Sequence, residues 1–323
     1  MGDAEQGEGA LPRSKREGYA MMQDKYDYFM LAYDSPSFSA AAGKVPMSPQ
    51  GFAKAVRNLE RELGVPLFAV EEDGTRRATP YADELYEYAK RMRAERNLLA
   101  SAFERISSSG YVELRIACSL GVPGLLGSGF LDGFLKQHPD VSITLNEMPD
   151  SMCESVLRDG LYDLALTVTS PVDDFDSHEL YSSPVSYWVR SDDPLSERAV
   201  LELEDLAQRR LAIPGDDFKC YRDLVGRFEL EGVRPPEIVK YSEIFWIYEF
   251  VLRGEGIGFT LPHLAALEVF KGSEAVVAVP ARGFIWGFGV SHLKAHTLGP
   301  REEDLIAYLN ERVAHRRRGR FTA

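Results

Sequence analysis

The stretch SFSAAAGKVPMSPQGFAKAVRNLERELGVPLF, residues 37–68, decides how this chain reads. Ser48-Pro49 is a helix cap followed by a first helical residue, where proline gives up no hydrogen bond the helix needs. From Pro49 to about Leu63, Phe52, Ala55, Val56 and Leu59 share an inward face, Lys54, Arg57 and Arg61 lie outside, and Gly64 supplies the stop. Upstream, Phe38-Ser39-Ala40-Ala41-Ala42 opens a short helix with Ser39 as its cap. Before it, Tyr28, Phe29, Leu31 and Ala32 share one face of a first helix that Ser35-Pro36 ends. Downstream, residues 67–70 and 75–79 flank a turn at Asp73-Gly74 and form a small hairpin. Two short helices, a third with a basic outer face and a hairpin make a winged helix-turn-helix over residues 24–80.

Charge refines this reading. The chain holds 323 residues with 37 basic and 50 acidic side chains, a net charge of −13, which by itself disfavours a nucleic-acid partner. Locally the balance differs. Residues 24–80 carry seven basic against eight acidic residues, yet from Lys44 to Arg61 four basic residues face only Glu60. Arg76 and Arg77 add two charges on the wing, so a basic ridge able to follow phosphates runs across a near-neutral unit.

Residues 81–110 read as a linker helix and hinge. Leu85, Ala89, Met92, Arg96, Leu99, Phe103 and Ile106 alternate spacings of four and three, a heptad seam with one polar member. The alternatives are a dimerisation helix, favoured by its place between two globular parts, and a helix packed on its own domain. Ser107-Ser108-Ser109-Gly110 follows as the hinge. Residues 111–323 alternate strands and helices. Strands are expected at 112–118, 141–145, 162–168, 185–189, 211–213, 238–241, from 256–259, and at 276–279 and 285–290, with helices at 124–137, 151–158, from 203–206, and at 221–231, 245–253 and 302–313. The alternation predicts parallel α/β sheets, arranged as two lobes with a cleft or as one doubly wound domain. The whole is an α+β multidomain chain.

Composition excludes several classes. No apolar run is long enough for a membrane span, and residues 1–23 are polar, with no signal-peptide core, and are expected to be disordered. Cys118, Cys153 and Cys220 lack paired spacing, which disfavours a disulfide framework or a metal cluster and fits a reducing cytoplasm. No nucleophile elbow, P-loop or dinucleotide fingerprint accompanies Cys118, so an enzyme is disfavoured and no cofactor is expected.

The segment Ser37-Phe38-Ser39-Ala40-Ala41-Ala42, Val45, Ser48-Pro49-Gln50, Val56, Leu59-Glu60, Leu63-Gly64, Leu67-Phe68, Arg76 and Thr79-Pro80 resembles the DNA-binding domain of LysR-type transcriptional regulators. Gly160-Leu161-Tyr162-Asp163-Leu164-Ala165-Leu166 resembles that family's first-lobe strand. Val251 with Gly254-Glu255-Gly256-Ile257-Gly258 and Leu261-Pro262 resembles its return crossing from the second lobe. The resemblance implies a winged helix-turn-helix, a long linker helix and a two-lobed α/β domain of periplasmic-binding-protein type that senses a small molecule. It further implies double-stranded DNA as partner, a homo-oligomer (dimer or tetramer), and RNA polymerase as a further contact. Four departures stand out. Pro49-Gln50 replaces the common Gln-Pro, Ala53 replaces a usual serine, Val70 stands where an arginine is usual two residues after Leu-Phe, and Glu71-Glu72-Asp73 makes the wing turn acidic.

Candidate DNA-binding residues are therefore Ser39, Ser48, Pro49, Gln50, Lys54 and Arg57, with Arg76 and Arg77 on phosphate. The dimerisation candidates are Leu85, Ala89, Met92, Leu99, Phe103 and Ile106. For the effector, small polar groups at strand ends suit an anion: Ser119 and Leu120, Ser151, Thr169 and Ser170. Phe245 and Trp246 on the cleft wall would favour an aromatic compound or organic acid, or else they are core. Trp188 and Trp286 are expected in the core. Two rivals remain: a ligand-independent DNA-binding protein whose lobes serve oligomerisation, and a solute-binding protein, for which residues 24–108 would have no use.

Overall fold

The computed structural model describes residues 25–71, 75–107, 111–127, 129–169, 174–271 and 274–320. The leader 1–23, the turn at Asp73-Gly74, the hinge 108–110 and Ser170 lie outside the described residues. The chain divides into two compact units. One spans residues 1–111 with the turn 158–161, and the other holds the remainder.

The first unit comprises α1 (Lys25–Tyr33), α2 (Phe38–Ala42), α3 (Pro49–Leu63), strands β1 (Phe68–Val70) and β2 (Arg76–Ala78), and the long helix α4 (Pro80–Ser107). Ser48 caps α3 by accepting the Gly51 N–H at 3.1 Å, and the Gly64 N–H closes the helix on the Glu60 carbonyl. The cap of α2 is Ser37, whose hydroxyl accepts the Ala40 N–H at 3.1 Å; Ser39 sits inside the helix, exposed. The expectation for Ser39 fails because the chain turns helical two residues earlier, at Phe38. Phe52 and Val56 pack with Ala32, Ala41 and Ala42, while Leu59 joins Phe29, Met30 and Leu67. Strands β1 and β2 pair antiparallel, Phe68 opposite Ala78. The Glu60 carboxylate ties β1 to α3 by accepting the Leu67 and Phe68 N–H groups at 2.8 and 3.1 Å.

The heptad seam divides. Ala89 is buried and Leu85 half-buried in the core built around Phe29, and Arg96 holds both carboxylate oxygens of Asp27 at 2.8 and 2.9 Å. This upper part of α4 thus packs on its own unit, correcting the reading of Leu85 and Ala89 as dimerisation residues. Met92, Leu99 and Phe103 are 36, 52 and 43% exposed; the side chain of Ile106 lies outside the described residues.

The second unit is built on one eight-stranded sheet in the order β4-β3-β5-β10-β6-β9-β7-β8. Its strands are β3 (Val112–Ser119), β4 (Val141–Met148), β5 (Leu164–Val168), β6 (Phe175–Arg190), β7 (Leu211–Pro214), β8 (Ile238–Tyr241), β9 (Ile257–Thr260) and β10 (Val276–Leu293). β3 runs parallel to β4 and β5, and β7 parallel to β8 and β9; β6 and β10 pair antiparallel with each other and with their outer neighbours β9 and β5. The expected all-parallel sheet is therefore a mixed one, with two parallel halves joined through two long strands. Residues 276–279 and 285–290 belong to a single strand, because the irregularity between Pro280 and Ile285 is absorbed as a register shift. The second crossing likewise starts at Phe175, well before Val185.

Helices cover the faces: α5 (Val122–Leu126), α6 (Asp132–Gln137), α7 (Asp150–Arg158), α8 (Leu203–Leu206), α9 (Lys219–Glu231), α10 (Ile244–Leu252), α11 (Pro262–Ala265), α12 (Glu268–Lys271) and α13 (Pro300–Arg320). The single helix expected at 124–137 is broken by Gly127 and Gly129, at φ +84° and +64°, a backbone region open to glycine. Gly258 serves a different need: a Cβ there would lie 2.7 Å from side-chain carbons of Ile247 and Val251, so glycine lets α10 settle onto β9.

Candidate DNA-reading surface and effector cavity

Burying Phe52, Val56 and Leu59 fixes the rotation of α3, and Ser48, Pro49, Gln50, Lys54 and Arg57 then all face solvent. Gln50, Lys54 and Arg57 follow at intervals of four and three, one above the other on a single face. None of the three makes a hydrogen bond or ion pair to the described residues. Arg61, one turn further, donates to the Asn58 side-chain carbonyl. Arg61 and Asn58 were not among the contacts expected from the sequence, although the same outward spacing would have found them.

The two wing arginines part company. Arg77 is exposed, 3.6 Å from Glu71. Arg76 points inward: its guanidinium donates to the backbone carbonyls of Ala32 and Ser35 at 2.5 and 2.6 Å. It is also stacked 4.3 and 4.4 Å from the centroids of Phe38 and Phe68. Burial lowers its pKa. This corrects the expectation of a phosphate contact at Arg76; alternation in β2 sends its side chain to the core face and Arg77 to the other.

In the second unit a cavity of about 210 Å³ is lined by residues at the carboxyl ends of the parallel strands: Ser119 closing β3 with Leu120 and Gly121 after it, Glu147 near the end of β4 and Asp150 opening α7, Pro214 closing β7, and Ser242–Ile244 after β8. Phe218, Cys220, Phe259, Leu261, Leu264 and Trp286 complete the wall. Open α/β sheets place ligands at such strand ends. Asp150 is 2% exposed; Ser119 donates to one carboxylate oxygen and the Lys219 N–H to the other at 3.2 Å. Desolvation pushes its carboxyl above the usual carboxylate range. Asp150 thereby fastens the end of β3 to the starts of α7 and α9.

Of the expected effector residues, Ser119 and Leu120 line the cavity. Ser151 is turned away, its hydroxyl donating to the Asp217 carbonyl at 2.9 Å, and Thr169 is bound through its N–H to the Gly287 carbonyl at 3.0 Å. Phe245 and Trp246 are 45 and 51% exposed and outside the lining; the wall is made by Ser242, Glu243 and Ile244, where the chain enters α10. The core reading of that aromatic pair therefore fails. Trp188 is buried as expected, and Trp286, also buried, is cavity wall as well. The strand-end rule applied to β8 would have found Ser242–Ile244. The three thiols are buried, and burial pushes Cys153 up to about 12 and the others upward, so Cys118 does not carry the activation a nucleophile requires.

No helix among the described residues is long and apolar enough to cross a membrane, and no cluster there could hold a metal ion. The family model for the LysR substrate binding domain matches residues 112–314, and that for the bacterial regulatory helix-turn-helix protein, lysR family, matches 24–83. The chain is 25% identical over 223 residues to the HTH-type transcriptional regulator CysB of Haemophilus influenzae, covering 68% of each protein. It is 25% identical over 259 residues to BenM of Acinetobacter baylyi, covering 76% of this chain and 81% of that one. Among solved structures, full-length BenM superposes with a TM-score of 0.55 at 20% identity over 93% of this chain and 97% of the other. An OxyR C206 mutant of Corynebacterium glutamicum gives 0.54 at 19% identity, over 90% and 92%.

Proposed function

Because the chain belongs to the LysR-type family of DNA-binding transcriptional regulators with an effector-binding domain, we propose that α3 is its base-reading helix and the strand-end cavity its effector site. The observation that carries the first half is the row Gln50, Lys54 and Arg57, exposed and without partners among the described residues, above the buried Phe52 and Val56. Gln50 reads adenine in the major groove, Arg57 guanine, and Lys54 and Arg77 hold phosphate. Two copies associate through the exposed Met92, Leu99 and Phe103 of α4. The paired units then read half-sites about one helical turn apart, or a multiple of it. An effector in the cavity shifts the population of lobe arrangements and so the spacing of the reading heads.

The test is to bind the full chain to sheared DNA of its own source, sequence what is retained, and repeat with Gln50→Ala. Enrichment of an inverted repeat is expected, with preference at one base pair per half-site falling by about 1–3 kcal/mol in the variant. Retention without a shared motif, unchanged by the substitution, refutes the assignment.

A further inference from the structure

The charge of the cavity runs against the anionic effector that small polar strand ends suggest. Two lining residues, Glu147 and Glu243, are carboxylates, a third, Asp150, is a buried acid whose carboxyl is pushed by desolvation towards the protonated form, and no Lys, Arg or His belongs to the lining among the described residues. Glu147 and Glu243 are exposed at the rim, one at the end of β4 and the other just ahead of α10, so both halves of the unit contribute negative charge. Lys219, the cation nearest Asp150 in the chain's hydrogen-bond network, is committed elsewhere: its ammonium lies 2.6 Å from Glu154 and donates to the Val168 carbonyl. An anion entering here would meet like charge at the rim and find no positive side chain inside.

Apart from Ser119 and Ser242, the rest of the wall is mainly apolar and aromatic, with Phe218, Phe259, Leu264 and Trp286. Trp286 is 6% exposed, and its ring packs against Tyr181, His263 and Phe288. The volume of about 210 Å³ lies below the usual ~300–1,000 Å³ of drug-sized ligand sites, so the occupant is small.

Resting on the effector-site reading above, we infer that this cavity takes a small organic cation. Its ammonium or amidinium group faces Glu147 and Glu243, and its apolar or aromatic body lies against Trp286 and Phe218. Aromatic walls add to the attraction, because ring faces favour a cation.

Two probes of equal size and opposite charge test this: para-methoxybenzylamine and para-methoxybenzoate, each with the same ring and ether group. Binding to the full chain is measured by calorimetry, for the native sequence, for the double variant Glu147→Gln with Glu243→Gln, and for Leu120→Trp, which fills the cavity from its rim. The amine is expected to bind about ten-fold or more tightly than the benzoate. The double variant, whose substitutions fall at exposed positions, is expected to remove most of that preference, and added salt to shrink it. Equal affinities, tighter binding of the benzoate, or a preference untouched in the double variant overturns the inference. If the benzoate binds and Leu120→Trp abolishes it, the cavity remains the effector site and only the charge assignment falls. If neither probe binds, both fall.

Discussion

Replacing Arg76 and Arg77 one at a time separates two roles that adjacent, chemically identical residues would otherwise share. The Arg76 guanidinium donates to the carbonyls of Ala32 and Ser35, residues 0% and 5% exposed, and lies between the rings of Phe38 and Phe68. A hydrogen bond from a charged donor contributes about 1.5–3 kcal/mol, and cation–π stacking about 0.5–2 kcal/mol. These terms are not additive, and the desolvation of a half-buried cation offsets part of them. Arg76→Ala is therefore expected to destabilise the first unit by about 2–3 kcal/mol, since it also strands buried carbonyls. Arg77 is 78% exposed, and its pairing with Glu71 at 3.6 Å contributes little to stability.

All three tryptophans lie in the second unit, so their fluorescence does not report this change. Hydrogen exchange in peptides spanning α3 does. Arg76→Ala should accelerate exchange there by roughly 30- to 150-fold, and Arg77→Ala should leave it unchanged. In DNA binding the pattern inverts: Arg77→Ala lowers the dependence of log affinity on log salt by about one contact, whereas Arg76→Ala leaves the slope intact. If Arg76→Ala spares exchange and lowers the salt slope, the inward placement of its guanidinium is wrong.

Leu99→Glu or Phe103→Glu is expected to weaken self-association in sedimentation without loosening the first unit, while Ala89→Glu, at a position 1% exposed, should unfold that unit instead. Asp150 carries a raised carboxyl pKa, so the folded state holds its proton where the unfolded chain has released it. Stability therefore falls as pH rises from the ordinary aspartate value of about 4 towards the folded-state value. Asp150→Asn should flatten that slope in pH-dependent melting of the second unit; an unchanged slope assigns it elsewhere. The three buried thiols should resist a thiol reagent in the native protein and react only on unfolding; fast labelling of Cys220 would contradict its burial.

Much of the fold was legible in the sequence because it rests on local rules. Ser48-Pro49, Gly64 and the spacing of Phe52, Val56 and Leu59 define α3 and its outer face without reference to the rest of the chain, and with it Gln50, Lys54 and Arg57. The alternation of strands and helices after residue 111 was equally visible. What tertiary structure decided are the points at which distant segments compete for one side chain. Arg76 and Arg77 are the same residue type in a three-residue strand, and the carbonyls of Ala32 and Ser35, some forty positions away, with the rings of Phe38 and Phe68, distinguish them. Leu85 and Leu99 occupy equivalent seam positions, but the core around Phe29 reaches the first and leaves the second exposed. The cavity is the strongest case. Glu147, Asp150, Glu243 and Trp286 come from β4, α7, the approach to α10 and β10, and each taken alone is an ordinary surface acid or core tryptophan. A local pattern can say which face of an element is buried, because its period belongs to the backbone. Which charges share one cavity depends on strand order, and the two long strands β6 and β10 set that order by bringing both halves onto a single sheet.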